Sequence, residues 1–491
     1  MSVTAATGAV HDICNTNPGS EAEVNRERDA SFAIADHLAR TRFEDLPAGE
    51  IAAAKASILD TLGCIYAGTG CDDVAAVRRL TSKWGGRPSS TVIGTGDKVP
   101  AACAVFANGS AVHQFDFDDT HDKGVLHPTS ASLLPALAVA EDIGGTRTVS
   151  GKDILAAVVL SNDLSSRMAL ATRGRMWDYP WFRAPVMGLF GATAASAKIM
   201  GASATQHLHA LGLTLPQVAG TWASLHHKGS SVRALRDGLA YRNGVLAAEM
   251  AMEGLRGDAE VLEGPYGFYH AFYRGEYDRG ALLDGLGEHY QASRISLKPW
   301  PSIRHLHTAL TGVTSIMQRE RLSFDDISGV TLFLGQMNID RCRSVASVAP
   351  SGGPVNHIDL AGNMHFAVAT VIRHGSIPLA VYHDPALANE IVRAAMPKVR
   401  WVYDGAFDGP TLEGSRVVVT TFAGASYTDE HRLALGHPDH PMTRDQRIAK
   451  FMDCAGAAAT PLTRERALRI VDAVDGLDTL ADIGTLMALL Q

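Results

Sequence analysis

This 491-residue chain is poor in charge of either sign, and its basic residues are dispersed. Charged residues make up 20% of the sequence, and the net charge is −8. Nucleic-acid-binding proteins normally carry a basic patch or a run of lysine and arginine that follows the phosphate backbone. Because no such run is present, we expect no nucleic-acid partner.

Cysteine is also scarce. The six cysteines are Cys14, Cys64, Cys71, Cys103, Cys342 and Cys454. No two of them form a CxxC pair, and several lie in apolar helical segments, where a thiol behaves as a small buried hydrophobic group. Structural zinc sites and iron–sulfur clusters need grouped thiolates. The sequence therefore predicts neither, and we expect no cofactor.

Long uninterrupted apolar runs are missing as well. No run reaches the roughly eighteen uncharged residues that a membrane span needs. The N-terminus lacks the basic start and the apolar core of a secretory signal. We therefore expect a cytoplasmic protein with no membrane partner, in which residues 1–30 form a mobile tail.

Helical periodicity dominates most of the chain. Apolar residues recur at helical spacing from residue 31 onward and again near the C-terminus, and a Gly-, Ala- and Ser-rich helix at 186–200 is expected to be buried. Strand-like runs appear only between these two regions, at 330–334, 399–403 and 417–422.

This pattern predicts a mainly α fold with two domains. Both chain ends, 31–287 and 441–491, would form a large all-helical domain, and 288–440 would be an inserted α+β lid domain. A site at the junction would close through relative movement of the two domains.

Titratable residues concentrate in the stretch 108–135, which holds three histidines, four aspartates and a lysine between two apolar helical segments. If 104–120 is helical, then His113, Asp116 and Thr120 lie at i, i+3 and i+7 and share one face. A hydrophobic core does not require so many polar groups, so we take this stretch as the candidate site.

The neighbouring residues have simpler expected roles. Asp118 and Asp119 would point away from that face, and a role in turns or ion pairs is favoured for both. His127 precedes Pro128, which disfavours helical backbone before it, so we predict that Thr129 caps a new helix. A helix N-terminus beside an imidazole suits an anionic ligand.

A second polar segment follows at 226–244. Lys228, Arg233 and Arg236 flank a Gly-Ser-Ser turn that opens a helix, so backbone N–H groups and cations could converge on a carboxylate. A solvated basic helix start is the alternative interpretation.

The first polar stretch also contains possible metal ligands. His113, Asp116, Asp119, His121 and His127 supply enough nitrogen and oxygen donors for zinc or manganese. Their spacing matches no recognised metal motif, so we predict no metal site.

Several segments resemble the MmgE/PrpD family, which includes 2-methylcitrate dehydratase, cis-aconitate decarboxylase and iminodisuccinate epimerase. NGSAVHQFDFDDTH followed by LHP resembles the family signature, and GLFGATAASAKIMG, DGLAYRNGVLAA, LKPWPSIRHLH and HFAVATVIRHG resemble further family segments. The resemblance implies a helical domain with an α+β lid, usually a homodimer, and chemistry on a small carboxylate substrate without an iron–sulfur cluster.

By this resemblance the family's catalytic aspartate, histidine and lid lysine fall on Asp116, His127 and Lys298. Three more positions that match the family are His113, Arg304 and His307.

Other positions depart from the family. Phe182 replaces a histidine, Arg233 replaces a frequent lysine and Phe366 replaces a tyrosine. Phenylalanine cannot transfer a proton, so a mechanism with two imidazoles would need a substitute from elsewhere. The candidates for that group are His113, His226 and His227.

These observations predict a metal-independent lyase that dehydrates or decarboxylates a small di- or tricarboxylate. His127 would transfer the proton because imidazole titrates near neutrality, Asp116 would orient it, and Lys298 would complete the site. His113 is the fourth predicted catalytic residue. The predicted substrate-binding residues are Arg233, Arg304, Lys228, Phe182 and His307.

Three alternatives stay open. An isomerase or epimerase needs only removal and return of a proton, and a non-catalytic relative would keep the fold without the chemistry. His113, His305 and His307 could also be core histidines with packing roles.

Overall fold

The structure is a computed structural model that describes residues 28–174, 178–223, 230–345, 357–409 and 414–491. Most of the expected N-terminal tail, together with His226, His227 and Lys228, lies outside these residues. The helices before residue 290 are α1 (Ala30–Arg40), α2 (Ala48–Gly68), α3 (Asp72–Trp84), α4 (Ala101–Val112), α5 (Pro128–Ile143), α6 (Gly151–Ala171), α7 (Arg183–Met200), α8 (Ala204–Thr214), α9 (Val232–Met252), α10 (Phe268–Tyr273) and α11 (Arg279–Leu283).

The predicted mainly α fold is confirmed. Helix α7, in which eight of 18 residues are Gly, Ala or Ser, is buried as expected and packs against α5, α6, α8 and α9. A Cβ atom on Gly244 of α9 would lie 2.6 Å from the Cβ of Ala192 in α7. A Cβ atom on Gly109 of α4 would lie 2.6 Å from the Cα of Gly238 in α9. These glycines let α9 approach two helices closely, and this places the start of α9 beside the end of α4.

The later part of the chain mixes helices with a small sheet. Its helices are α12 (His307–Glu320), α13 (Gln336–Val345), α14 (His357–Ala361), α15 (Met364–His374), α16 (Ala380–His383) and α17 (Pro385–Ala394). The strands of the whole chain are β1 (Ser90–Thr91), β2 (Lys98–Val99), β3 (Ile327–Leu334), β4 (Val399–Tyr403), β5 (Ser415–Thr421) and β6 (Ser426–His431).

Four of these strands form a sheet in the order β4-β3-β5-β6. Strand β3 runs parallel to β4 and antiparallel to β5, with Val330 opposite both Val399 and Val419. Helix α12 covers β5 and β6, and α15 packs beside α12. The three predicted strands are confirmed to within a few residues. Strand β6 was missed because its sequence, SYTDEH, is polar and only half buried.

The chain then returns to its first helices through α18 (Arg444–Gly456), α19 (Arg464–Asp475) and α20 (Gly484–Leu489). Helix α18 packs along α2, where a Cβ atom on Gly63 would lie 3.3 Å from the Cδ2 of Phe451. The C-terminal segment therefore contributes to the same helical layer as the N-terminal segment.

Two helices, α2 and α6, are long and apolar enough to be considered as membrane spans on length and composition alone. The apolar windows of α2 and α6 are 72% and 94% buried inside the protein. Helices that are apolar on all sides and buried in this way are typical of the core of a large soluble protein.

Candidate active site

The loop between α4 and α5 carries most of the candidate side chains. Helix α4 ends at Val112, so the predicted helix through Thr120 is wrong. The chain turns after His113, and Asp116 has a φ of +51°. A non-glycine residue in this conformation costs about 1 kcal/mol or more and persists only where its surroundings hold it. Thr120 instead pairs with Ser296, with N···O distances of 2.9 and 2.8 Å.

The C-terminal end of this loop, where α5 begins, also differs from the prediction. Helix α5 begins at Pro128, with His127 as its N-cap residue, so Thr129 lies inside the first turn and is not the cap. Proline suits this first position because it lacks the N–H group that would otherwise be unpaired there. The imidazole of His127 is thereby held at the start of a buried helix.

The tautomer of His127 is set by a backbone contact. Its Nδ1 lies 2.6 Å from the carbonyl oxygen of Asp119, which can only accept, so Nδ1 carries the proton and Nε2 keeps its lone pair. Burial lowers the pKa of His127 from 6.5 to about 4, against the opposing charge of Asp118. At neutral pH the imidazole is therefore an uncharged base.

Asp118 lies between two imidazoles. Its Oδ1 is 2.9 Å from His113 Nδ1, and its Oδ2 is 3.4 Å from His127 Nδ1. Burial alone would raise the pKa of Asp118, but the two histidines hold it below its usual range. The expectation that Asp118 points away from the site is therefore wrong. The loop turns where a helix was predicted, and this turn brings Asp118 inward.

His113 has both ring nitrogens engaged. Nδ1 donates to Asp118, and Nε2 lies 3.1 Å from Nη2 of Arg236, a group that can only donate. This geometry makes Nδ1 of His113 the donor to Asp118 and Nε2 the acceptor from Arg236. Its ring centroid is 4.8 Å from that of His127. This arrangement favours a role for His113 in positioning His127.

Asp116 forms a buried ion-pair network with two cations. Its Oδ1 and its carbonyl oxygen accept from Lys298 Nζ at 2.6 and 2.7 Å, and its Oδ2 lies 2.5 Å from Arg233 Nη2. Burial alone would raise the pKa of Asp116, but Lys298 and Arg233 hold it well below its usual range. Asp116 was expected to orient His127; the structure instead brings it against Lys298.

Arg236 lies beside Arg233 on the first turns of α9. Its guanidinium carbon is 3.7 Å from the ring centroid of Phe182, and that ring meets Trp222 edge-on at 4.5 Å. Arg233 Nε and Arg236 Nη1 are both buried and have no hydrogen-bond partner among the described residues. Buried N–H groups are nearly always paired, so these two donors mark a place for an acceptor.

Two other predicted binding residues are already paired with protein groups. Arg304 makes a two-pronged contact with Asp122, at 3.0 and 2.9 Å, and Ser296 donates to the same carboxylate at 2.7 Å. His307 Nε2 lies 3.2 Å from both the hydroxyl and the carbonyl oxygen of Ser302, and burial keeps the pKa of His307 well below its usual range.

These side chains surround a small cavity of about 40 Å³. The residues that line it are Asp116, Thr120, Val125, His127, Phe182, Trp222, Arg233, Arg236, Lys298, Ile303, Arg304 and His305. Six of the nine predicted site residues are among them. His113 lies behind this lining and His307 lies outside it, while Lys228 is not among the described residues.

Prediction missed three important residues. Asp118 was assigned a structural role, Arg236 was noted but not selected, and Trp222 was not considered. The signal for Arg236 was its i, i+3 spacing from Arg233, which puts both side chains on one helix face. Trp222 had no comparable signal, because its approach to Phe182 depends on tertiary packing.

A second buried ion pair stabilises the loop between α4 and α5. Lys450 of α18 lies 2.6 Å from Asp60 of α2, donates to the carbonyl oxygen of Phe117 at 2.8 Å, and sits 3.8 Å from the ring centroid of Phe117. Phe117 is the residue between Asp116 and Asp118. Helix α18 therefore holds the backbone of the aspartate-rich turn.

Four side chains also come close enough to be considered as metal ligands. One ligand atom from each of His113, Asp116, Asp118 and His127 lies within 4.8 Å of the others. Asp116 is paired with Lys298, at 2.6 Å, and with Arg233, and both ring nitrogens of His113 are engaged by protein groups. This donor set suits an ion-pair network better than a dication.

Two family models match this chain. Residues 33–279 match the MmgE/PrpD N-terminal domain, and residues 300–476 match the MmgE/PrpD C-terminal domain. The chain belongs to the MmgE/PrpD family.

Three relatives resemble the chain over nearly its whole length. It is 26% identical to the cis-aconitate decarboxylase-like protein oryM of Aspergillus oryzae, covering 95% of this chain and 98% of the relative. It is 25% identical to cis-aconitate decarboxylase of Aspergillus terreus, covering 96% and 97%. It is 27% identical to cis-aconitate decarboxylase of Homo sapiens, covering 93% and 94%.

Proposed function

We propose that the protein is a metal-independent lyase that decarboxylates or dehydrates a small di- or tricarboxylate. The observation that carries this proposal is the contact between Lys298 and Asp116 beside the uncharged imidazole of His127. A base, an ammonium group and two guanidinium groups surround one cavity. This is the set of groups needed for proton transfer next to a carboxylate.

His127 is the proposed base. Its Nδ1–H is held by the carbonyl oxygen of Asp119, so Nε2 is the atom that accepts a proton from carbon. The lowered pKa keeps Nε2 unprotonated at neutral pH, and the nearby carboxylate of Asp118 would stabilise the imidazolium that forms.

Lys298 is the proposed acid and charge-stabilising group. An ammonium group has three N–H donors, and two of them go to Asp116. The third is left for the substrate. Arg233 and Arg236 would hold a substrate carboxylate, since guanidinium binds carboxylate in two-pronged fashion and keeps its proton at neutral pH.

Each candidate step balances with these groups. In dehydration, His127 removes the proton next to the carboxylate, the carbon–oxygen bond breaks, and Lys298 protonates the departing hydroxyl to give water. In decarboxylation, the carbon–carbon bond breaks, carbon dioxide leaves, and the electron pair that remains on carbon takes a proton from Lys298. Solvent then restores the proton on the amine and, after dehydration, takes up the proton that His127 removed.

No metal is needed in this scheme. Asp116 is compensated by Lys298 and Arg233, and both nitrogens of His113 are engaged by protein groups. We expect full activity after dialysis against a chelator, and loss of activity that returns on adding zinc or manganese would contradict this part of the proposal.

The test is a product assay on the purified full-length protein. It would be incubated with methylcitrate-like, citrate-like and aconitate-like acids while carbon dioxide release and alkene formation are measured. We expect one of these products, and we expect loss of turnover in His127→Gln and Lys298→Met. Absence of both products from every acid would count against a lyase.

An isomerase or epimerase is the second candidate. Phe182 lines the cavity and cannot donate a proton to a leaving group, whereas isomerisation requires only removal and return of a proton. Solvent deuterium in recovered substrate, without carbon dioxide or alkene, would identify this activity. No exchange at all would remove it.

The organisation of the protein is proposed on the same basis. We propose that the cavity is a cleft between a helical domain, formed by 31–287 and 441–491, and a lid domain, formed by 288–440. A homodimer and a cytoplasmic location are also proposed. Light scattering after size-exclusion chromatography would test the dimer, and cell fractionation would test the location.

A further inference from the structure

We infer that the substrate carries two carboxylates and an apolar branch, and that the site disfavours a third carboxylate. This inference rests on the proposed function and narrows its substrate class. It follows from the unpaired donors in the cavity, from the pairing of the surrounding charges and from the wall formed by Phe182 and Trp222.

The unpaired donors define one carboxylate position. Arg233 and Arg236 are 3% and 6% exposed, and each has one N–H group without a partner among the described residues. They lie at i and i+3 of α9, so both guanidinium groups face the cavity from the same side. A carboxylate with its oxygens at these two donors would complete their hydrogen bonding.

Lys298 defines the second carboxylate position. Its side chain is fully buried and lines the cavity, and after Asp116 takes two of its N–H groups the third has no acceptor among the described residues. One carboxylate would therefore be anchored at the arginines, and the carboxylate next to the reacting carbon would face Lys298.

Among the described residues, the remaining charges leave no cation for a third carboxylate. Lys298 and Arg233 already share Asp116, and Arg304 is paired with Asp122. Arg236 Nε lies 3.3 Å from the carboxylate of Asp237. Among the described residues, the four buried cations thus face four carboxylates before any substrate enters, those of Asp116, Asp118, Asp122 and Asp237. A third substrate carboxylate would be desolvated without compensation.

The wall of the cavity suits a hydrocarbon group. The rings of Phe182 and Trp222 lie edge to face, and both residues are less than 10% exposed, at 8% and 9%. The indole N–H of Trp222 donates to the carbonyl oxygen of Tyr179 at 2.9 Å, so it does not point at a ligand. Val125 and Ile303 add further apolar surface. An alkyl branch would gain contact here, whereas a carboxylate would lose its hydration.

A pair of matched probes tests this inference. In 2-isobutylmaleate, a branched alkyl group replaces the carboxymethyl group of cis-aconitate at nearly the same size, so the two acids differ mainly in the third charge. Their dissociation constants would be measured by titration calorimetry on the full chain carrying His127→Gln, which blocks turnover. We expect 2-isobutylmaleate to bind at least about tenfold more tightly than cis-aconitate.

Two substitutions at Phe182 provide the internal control. Phe182→His introduces a polar, protonatable ring and is expected to reduce the ratio of the two dissociation constants at least about tenfold, whereas Phe182→Leu keeps the wall apolar and should preserve the ratio. Equal or tighter binding of cis-aconitate, no binding of 2-isobutylmaleate, or a ratio unaffected by Phe182→His would each overturn the inference.

The result of this binding measurement does not depend on whether the protein has lyase activity. Binding is measured without turnover, so a preference for the alkyl acid would stand even if no lyase activity were found. Turnover of cis-aconitate together with its tighter binding would support the lyase and overturn the preference.

Discussion

Asp118 Oδ1 lies 2.9 Å from His113 Nδ1, and this contact fixes an imidazole that does not line the cavity. The other oxygen of Asp118 approaches the ring of His127. One buried carboxylate therefore fixes the ring of His113 and lies beside the ring of His127, whose Nδ1–H donates to the carbonyl oxygen of Asp119. A histidine that transfers protons depends on such a neighbour for its tautomer and its orientation.

Asp118→Asn is expected to lower kcat by roughly 10- to 100-fold with a smaller change in KM. The amide keeps the size of the side chain but removes the negative charge that would stabilise the imidazolium of His127. Steady-state kinetics on the wild type and the variant would measure this effect.

Asp119→Asn is the matched control for that experiment. Asp119 is the next residue and equally buried, but it holds His127 through its backbone carbonyl, which the substitution leaves in place. Burial raises the pKa of the Asp119 carboxyl to about 8, so this side chain is mostly protonated at pH 7 and an amide resembles it. Equal losses of kcat in both variants would contradict the role given to Asp118.

The pH dependence of stability should reveal the buried neutral His127. Its pKa is lowered from 6.5 to about 4 in the folded protein. Between these two values the unfolded chain binds a proton that the folded protein does not bind, so stability falls as the pH decreases from about 6.5 to about 4. The contribution of this one residue would reach roughly 3 kcal/mol once the pH is near 4.

Urea denaturation at pH 7 and pH 4.5 would measure that contribution. We expect His127→Gln to lose less stability between the two pH values than the wild type does. His440→Gln, at an exposed histidine, serves as the control and should behave as the wild type. Identical losses in His127→Gln and the wild type would show that His127 is not held neutral by folding.

The sequence was sufficient to predict the elements that have a regular pattern. The strand at 399–403 and the buried helix that became α7 both follow from apolar periodicity and residue size. The pairing of Asp116 with Lys298 could not be derived from spacing, since 182 positions separate them. Their proximity was expected only because the chain resembles a family.

The irregular loop was the part that local rules could not describe. A helical pattern through Thr120 was a reasonable prediction, but Asp116 adopts a positive φ because Lys298 and Arg233 hold its carboxylate. Once the helix ends at Val112, the direction of Asp118 changes as well. Ion pairs with residues far away in the sequence therefore determine the backbone conformation at Asp116. The residues next to Asp116 in the sequence do not indicate these pairs.

Lys450 is expected to contribute to stability through its buried pair with Asp60. Lys450→Met leaves Asp60 as an uncompensated buried carboxylate and removes the donor to the carbonyl of Phe117, so unfolding should become easier by about 3–5 kcal/mol. The double variant Asp60→Asn, Lys450→Met removes both charges and should recover part of this loss. Denaturant titration of the three proteins would measure it.

Lys298→Met provides a matched comparison at a second buried lysine–aspartate pair. Its Asp116 partner keeps Arg233 as a counter-charge, so the loss of stability should be smaller than in Lys450→Met, whereas activity should be abolished. If the double variant at positions 60 and 450 were no more stable than Lys450→Met, the pair would not be the source of the effect.

Asp122→Asn should alter the number of carboxylates that the cavity accepts on a ligand. Asp122 holds Arg304 through two contacts, and Arg304 lines the cavity, so removing the carboxylate charge makes one more cation available to a ligand. We expect cis-aconitate to bind about tenfold more tightly than before, with little change for 2-isobutylmaleate, because only the acid with three carboxylates has a charge left to place. Asp439→Asn, which breaks the exposed pair with Arg294 at 3.6 Å, is the control and should change neither dissociation constant. If the dissociation constants of both acids fell equally, the added positive charge would be attracting any anion. The pairing of Arg304 with Asp122 would then not explain how many carboxylates the site accepts.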